Sequence, residues 1–221
     1  MKTLNQDIKK GVFKPVYLLF GEEDFLKRSY KNRLRDAIVG EDTMNLGVFV
    51  GKDVSVEAVI SMAETMPFFA DRRLILIEDS GWFKKGGEAM ADYLKTPPPA
   101  ACLLFVETEV DKRGRLFKAV KSAGRAVEFA TQDEATLKRW ILGRMKKEGK
   151  NISQAGLEFF LEKTGSDMEN ISREMEKLFC YTLGRDAVTQ EDIEAICTHQ
   201  VTGQIFGMVE AIALRRQQEA L

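Results

Sequence analysis

Five short apolar runs, separated by stretches of helical periodicity, constrain the fold of this chain more than any other feature. They occupy residues 16–20, 46–50, 74–77, 102–106 and 126–129. Continuous apolar strands that alternate with helices are typical of a parallel sheet covered by helices on both faces. The pattern therefore predicts an α/β fold whose strands are joined by right-handed crossovers.

The segments between these runs carry the helical signals, at residues 23–38, 54–66 and 87–94. In the first predicted helix, Leu26, Tyr30 and Leu34 share one face at the spacing of an amphipathic helix. The prolines at 97–99 cannot continue the last of these helices, so they form a stiff connection into the fourth strand.

After Ala130 the periodicity becomes purely helical, and the sequence predicts three or four helices with no further strand. Thr189 and Asp192 have the spacing of a capping box at a helix start. A last helix over residues 205–212 has an apolar face, yet the chain reaches Leu221 without a capping signal, so we expect it to be cut short. The predicted domains are 1–130, 131–200 and 201–221.

Composition limits the classes of partner, compartment and chemistry. Lysine and arginine total 33 against 34 acidic residues, and a net charge of −1 gives no general attraction to nucleic acid or anionic membranes. Neither a signal peptide nor a membrane-spanning apolar run occurs, so we expect a cytoplasmic protein without a membrane partner. Cys102, Cys180 and Cys197 have no metal-ligand or disulfide spacing and are expected to be buried thiols. His199 is the single histidine and is expected to be structural, so we predict neither a catalytic nor a metal site.

The segment from the helix at 54–66 to the strand at 72–77 carries the clearest functional signal. Ser55 is a candidate N-cap, and Pro67 predicts that the helix ends at or near Met66. Phe68 and Phe69 then lie in a tight turn, where the domain core accepts one ring more easily than two. A spare ring is a typical interface anchor. The alternative is that both rings complete the core.

The glycine after the first strand invites comparison with a phosphate-binding loop. Aligned on G-x-x-x-x-G-K-[ST], the sequence keeps Gly21 and Lys27 but has Leu26 for the second glycine and Arg28 for the hydroxyl that binds magnesium. A Cβ at the second glycine obstructs the phosphates, and the acidic residues at 22–24 would repel them. We therefore interpret this stretch as a degenerate, non-binding loop in which residues 22–24 start a helix. No cofactor is expected.

Glu78 and Asp79 follow the third predicted strand, a position at which phosphate-loop ATPases hold magnesium and water. Acidic residues after a buried strand are also common turn formers. Because the phosphate loop is degenerate, we interpret this pair as turn residues.

Two groups of basic residues could contact nucleic acid, although such clusters are usually solvated helix faces. A phosphate contact would be sensitive to salt. The candidates for a DNA contact are Lys112, Arg113 and Arg115, with Lys118 and Lys121 beside them. The second group comprises Lys138, Arg139, Arg144, Lys146, Lys147 and Lys150.

Four stretches are distinctive in combination: YLLFGEEDFL at 17–26, MPFFADRRL at 66–74, GSDMENI at 165–171 and EMEKL at 174–178. Together they resemble the delta subunit family of the bacterial DNA polymerase III clamp loader, and the resemblance covers essentially the whole chain. It implies an AAA+-type, P-loop NTPase-like α/β domain at 1–130 that no longer binds nucleotide. It further implies a helical lid at 131–200 and, at 201–221, the first helix of a collar domain whose remainder would be missing.

The resemblance also implies a function. Such a subunit binds the β sliding clamp through a hydrophobic pair, which here corresponds to Phe68 and Phe69 with Met66 and Pro67 beside them, and it helps to open the clamp for loading onto primed DNA. Its other partners would be the ATPase subunits (gamma/tau) and delta-prime, with DNA met only inside the complex. It would act as an accessory subunit of a DNA-directed DNA polymerase, a nucleotidyltransferase, without catalysis of its own. The alternatives are a P-loop ATPase and a nucleic-acid binding module.

Overall fold

The computed structural model describes residues 1–198 of the 221-residue chain. The chain divides into two compact units, one from Met1 to Thr131 and a second that begins at Gln132. His199, the helix expected at 205–212 and the proposed collar segment lie outside the described residues.

The first unit is built on a five-stranded, wholly parallel sheet, as the apolar runs predicted. The strand order across the sheet is β2-β3-β4-β1-β5. The strands are β1 (Val16–Phe20), β2 (Leu46–Val50), β3 (Arg73–Glu78), β4 (Ala101–Glu107) and β5 (Arg125–Glu128). Every residue of β1 is buried, because neighbouring strands flank it and helices cover the sheet. In contrast, β2 is an edge strand with exposed valines.

Helices cover both faces of this sheet. They are α1 (Lys2–Lys10), α2 (Asp24–Ile38), α3 (Val56–Glu64), α4 (Glu88–Tyr93) and α5 (Arg115–Ala123). On one face Leu18, Ile75 and Phe105 belong to a buried cluster that includes residues of α3, α4 and α5. On the other face α2 packs against β1, β3 and β4. This arrangement confirms the predicted helix–sheet–helix layering.

Helix α1 was not predicted, because its sequence is mostly polar and precedes the first apolar run. It is fixed to the sheet through Asp7, which accepts a hydrogen bond from the Tyr17 hydroxyl at 2.9 Å and a bidentate pair from Arg125 at 2.5 and 2.8 Å. Leu4 on the same helix is fully buried. Tertiary contacts therefore fix a helix whose sequence is mostly polar.

The second unit is mainly helical, with α6 (Glu134–Lys147), α7 (Gln154–Thr164), α8 (Met168–Tyr181) and α9 (Gln190–Ile196) within the described part. The predicted capping box at Thr189 and Asp192 is confirmed. The expectation of no further strand was wrong, because β6 (Asn151–Ile152) pairs in parallel with β7 (Ala187–Val188). Two-residue strands are too short to produce a periodic signal. Among residues 1–198, no helix is long and apolar enough to cross a membrane.

The cysteines only partly follow the sequence prediction. Cys102 and Cys197 are buried, and burial raises the pKa of the Cys102 thiol to about 12 and that of Cys197 to about 11. Cys180 lies exposed on α8, so the prediction of three buried thiols was wrong at this position. The buried face of α8 includes Leu178 but not Cys180, which lies two positions further along the helix.

Candidate functional site

The connection between α3 and β3, residues 65–72, is the candidate site. Ser55 caps the start of α3 by accepting a hydrogen bond from the Ala58 amide at 3.2 Å, as predicted. The helix ends at Glu64, two residues before Met66, and Thr65 is already extended with ψ 128°. The Thr65 hydroxyl donates to the Ser61 carbonyl at 3.0 Å and so satisfies an acceptor of the last helical turn. Pro67 therefore lies in the turn, after the helix has ended.

Both phenylalanine rings of this turn lie outside the core. Phe68 is 52% exposed, Phe69 is 95% exposed and Met66 is 79% exposed. The expectation that the core accepts one ring was wrong, and so was the alternative in which it accepts both. The two rings contact each other edge to face, with centroids 4.6 Å apart and an interplanar angle of 83°. The strand that follows the turn, β3, buries its own side chains from Leu74 to Ile77.

A buried asparagine from another loop holds the backbone of this turn. Asn45 is fully buried just before β2. Its Oδ1 accepts from the Phe68 amide at 2.7 Å, and its Nδ2 donates to the Phe68 carbonyl at 2.8 Å. The same Nδ2 donates to Asp42 at 2.6 Å, and this bond is the largest cause that lowers the pKa of Asp42. The carboxamide thus forms hydrogen bonds with both the amide and the carbonyl of Phe68, as a neighbouring strand would.

Two arginines fix the remainder of the turn. Arg73 is buried at the start of β3 and donates to the Met66 carbonyl at 3.3 Å, while Arg72 donates to the Phe13 carbonyl at 3.1 Å. Between these points, Phe69 has φ +48°, a left-handed conformation that is uncommon for a bulky residue and costs of order 1–3 kcal/mol. The flanking hydrogen bonds must therefore stabilise this backbone.

Sequence reasoning missed five residues of this site: Asp42, Met44, Asn45, Arg72 and Arg73. Met44 is 63% exposed and directly precedes Asn45, so it adds apolar surface beside the turn. Asp42 accepts from the amides of Met44 and Asn45 at 2.8 and 3.3 Å, which is a recognisable aspartate turn. That local signal was readable from the sequence. The contact of Asn45 with a residue 23 positions away was not.

The stretch aligned with a phosphate loop has a different geometry. Only residues 21–23 separate β1 from α2, so Leu26, Lys27 and Arg28 all lie within the helix. Leu26 is buried, and Lys27 is buried as well and forms an ion pair with Asp24 at 2.8 Å. Helix α2 begins at Asp24, which confirms the prediction that residues 22–24 start a helix. The Lys27 ammonium is thus paired with a carboxylate of its own helix.

The acidic pair at the end of β3 only partly forms a turn. Glu78 is the last residue of the strand, so its interpretation as a turn residue was wrong, whereas Asp79 follows the strand. Glu78 accepts from the Lys31 ammonium at 2.8 Å, and Asp79 adopts a left-handed backbone with φ +51°. Glu107, at the end of β4, is buried and accepts from the amide and hydroxyl of Ser80 at 3.0 and 2.5 Å. Burial raises the pKa of Glu107 in spite of these bonds. Within residues 1–198, no group of three or more histidine, cysteine, aspartate or glutamate side chains is arranged to hold a metal ion.

The candidate DNA-contact residues each pair with a carboxylate. Lys112 contacts Glu128 at 2.6 Å. Arg113 contacts Asp111 at 3.4 Å, and Arg115 contacts Asp92 at 2.9 Å. In the second group, Lys138 pairs with Glu134, and Lys150 donates to the carbonyls of Thr182 and Arg185. The carboxylates offset the charge of Lys112, Arg113, Arg115 and Lys138, whereas the backbone carbonyls hold the Lys150 ammonium without neutralising it.

Comparison with known proteins gives one family. A family model described as "DNA polymerase III, delta subunit" matches residues 17–130. The chain is 27% identical over 229 residues to DNA polymerase III subunit delta of Bacillus subtilis, a match that covers 98% of this chain and 66% of the relative. It is 24% identical over 219 residues to the probable DNA polymerase III subunit delta of Aquifex aeolicus, covering 93% and 61%. The chain therefore spans less than two thirds of the length of both relatives.

Solved structures share the fold. The Bacillus subtilis DNA clamp loader delta protein superposes with a TM-score of 0.74 at 24% identity, covering 99% of this chain and 68% of that chain. The Thermotoga maritima RuvB Holliday junction branch migration motor superposes with a TM-score of 0.50 at 14% identity, covering 87% and 64%. The predicted fold class, an AAA+-like α/β sheet followed by a helical part, is thus confirmed.

Proposed function

Because this chain belongs to the DNA polymerase III delta subunit family, we propose that it binds the β sliding clamp through Phe68 and Phe69 and helps to open it for loading onto primed DNA. The observation that carries the proposal is the exposure of both rings on a turn with fixed backbone geometry. Among the phenylalanines in residues 1–198, these two are the exposed ones. Met66, Pro67 and the adjacent Met44 complete the proposed contact surface.

The two exposed rings contribute little burial free energy to the isolated chain, so that free energy is available for binding a partner. Burying a phenylalanine side chain in a partner pocket contributes about 1.5–3 kcal/mol. A turn whose conformation is already fixed loses less entropy on binding, so more of that free energy appears as affinity. Clamp opening would follow only if the turn and its surroundings bind the open clamp more tightly than the closed one.

The alternatives are disfavoured by the site geometry. An ATPase would need phosphate-binding amides and a free lysine where this chain has a three-residue connection and a paired Lys27. A nucleic-acid module would need unpaired cations where Lys112, Arg113 and Arg115 face carboxylates. We infer that the chain is an accessory subunit without catalysis or nucleotide of its own. Its partners would be the gamma/tau and delta-prime subunits, and it would meet primed DNA only within the assembly, in the cytoplasm.

We also propose that the domains follow the family pattern. Residues 1–130 would be the AAA+-like domain that carries the clamp-binding turn, and residues 131–200 would be the helical lid. Residues 201–221, which lie entirely beyond the described part, would begin the collar.

Titration of the double variant Phe68→Ala/Phe69→Ala against its cognate clamp tests the proposal. We expect a loss of several kcal/mol of binding free energy, since hot-spot aromatics commonly contribute 2 kcal/mol or more each. The thermal midpoint should change little, because both rings are exposed.

Leu183→Ala is the matched control, because Leu183 is 84% exposed in the second unit, and this variant should bind the clamp normally. Wild-type affinity in a folded double variant would reject the assignment. A loss of about 3–5 kcal/mol in the free energy of unfolding, the usual cost of truncating a buried ring, would also reject the assignment.

A further inference from the structure

The side chain of Asn45 is the buried anchor of the Phe68 backbone, as Arg73 is of the Met66 carbonyl. The other turn residues near Phe68, namely Met66, Phe69 and Ala70, are all exposed. The Phe68 amide and carbonyl are therefore tied to the interior of the protein, while the residues around them face solvent. Burial of an asparagine side chain destabilises the folded protein unless its hydrogen bonds are satisfied.

The hydrogen-bonding capacity of Asn45 is satisfied by this role. Its carbonyl oxygen accepts from the Phe68 amide, and the two hydrogens of its Nδ2 go to the Phe68 carbonyl and to Asp42. Asp42 as a carboxylate only accepts, so it fixes which end of the carboxamide is the nitrogen. The main-chain carbonyl of Asn45 also accepts from the Leu74 amide at 2.9 Å, which ties this loop to the first residues of β3.

We propose that Asn45, oriented by Asp42, is the positioning residue that holds the Phe68–Phe69 pair ready for its partner. The proposal rests on the clamp-binding function proposed above for the two rings. Asn45 itself is buried and acts through the backbone of Phe68. Without the Asn45 side chain, the left-handed conformation of Phe69 is less stabilised, and the two rings lose their common orientation before binding. The partner must then order the turn at a cost in affinity.

Amide hydrogen exchange of the wild-type chain tests the geometry without any partner. The Phe68 amide should exchange slowly for a residue in an exposed turn, with the Phe69 and Ala70 amides as internal references. In Asn45→Ala the Phe68 amide should exchange as fast as its neighbours, while amides within β3, such as that of Ile75, stay protected. Fast exchange of Phe68 in the wild type would overturn the proposal.

Clamp titration tests the consequence for binding. Asn45→Ala should weaken clamp binding about tenfold, the cost expected when a partner must order a few side chains. Asn170→Ala is the matched control, since Asn170 is also buried and donates to a backbone carbonyl, that of Thr164, at 2.8 Å in the second unit. That control should lower stability and leave affinity unchanged.

Combining Asn45→Ala with Phe69→Ala distinguishes a positioning role of Asn45 from a purely structural role. If Asn45 acts through the rings, its substitution should cost much less affinity when the Phe69 ring is absent than when it is present. An equal loss in both backgrounds, or affinity within twofold of wild type for Asn45→Ala, would overturn the proposal. If Phe68→Ala/Phe69→Ala binds normally, the function proposed for the rings fails, while the exchange measurement still decides whether Asn45 fixes the turn.

Discussion

At the scale of single residues, Asp7 shows how tertiary contacts set a charge. Burial alone would raise its pKa, but hydrogen bonds from Arg125 and Tyr17 outweigh burial and hold the pKa below its ordinary value. The ionised carboxylate is therefore the form that the fold stabilises. This group links α1 to β1 and β5, which are distant in the sequence.

Asp7→Asn should destabilise the chain at pH 7 by about 1.5–3 kcal/mol, the usual contribution of hydrogen bonds to a charged group. Because the folded pKa lies below the unfolded value, the contribution of Asp7 is present above about pH 4 and is lost as the pH falls through the folded pKa. The difference between wild type and variant should thus shrink in acid. Urea unfolding between pH 7 and pH 2 measures it.

Asp36→Asn is the control for this series, since Asp36 pairs with Arg35 on the exposed surface. It should change stability by less than about 0.5 kcal/mol. A constant difference between Asp7→Asn and wild type across the whole pH range would contradict the assignment.

At the scale of elements, Gly21 is a packing residue at the junction of β1 and α2. Its φ is +116°, and a Cβ on it would lie 2.4 Å from the Phe129 carbonyl oxygen. The Glu23 amide donates to that same carbonyl at 2.9 Å, so strand, connection and helix start meet at one point. The glycine that resembles part of a phosphate motif is required here by the close approach of two backbones.

Gly21→Ala should destabilise the chain more than Gly51→Ala does. Gly51 also has a positive φ, at +96°, but its Cβ would have no atom within 4 Å. Gly51→Ala therefore reports backbone strain alone, about 1–3 kcal/mol. Gly21→Ala should cost about 1–3 kcal/mol more, because the added methyl overlaps backbone atoms. Equal losses in chemical denaturation would show that close packing at Gly21 contributes nothing.

At the scale of the whole molecule, the first unit has a wholly parallel sheet in which the connection between β1 and α2 differs from a phosphate loop. We expect calorimetric titration with Mg-ATP to give no saturable binding at micromolar concentrations. Glu22→Gln should not create binding, because the obstacle is the three-residue connection and the ion-paired Lys27 rather than acidic charge alone. Saturable binding by either protein would reject the proposal of a subunit without nucleotide.

The sequence by itself determined the five strands of the first unit, three of its five helices (α2, α3 and α4) and the place of the turn before β3. The bounds of β1 and β2 agree with their apolar runs, and the caps at Ser55 and Thr189 follow their signatures. Proline chemistry located the turn before β3. These features depend on neighbours within a few positions, so periodicity and local sterics are sufficient to predict them.

Only the tertiary structure decided what surrounds those elements. The exposure of both Phe68 and Phe69 depends on which side chains occupy the core once the strands have packed together. The hydrogen bonds of Asn45 to Phe68 and of Asp7 to Arg125 join positions 23 and 118 residues apart. Such contacts form only after the strands have taken their order in the sheet, because that order, and not local propensity, determines which loops become neighbours.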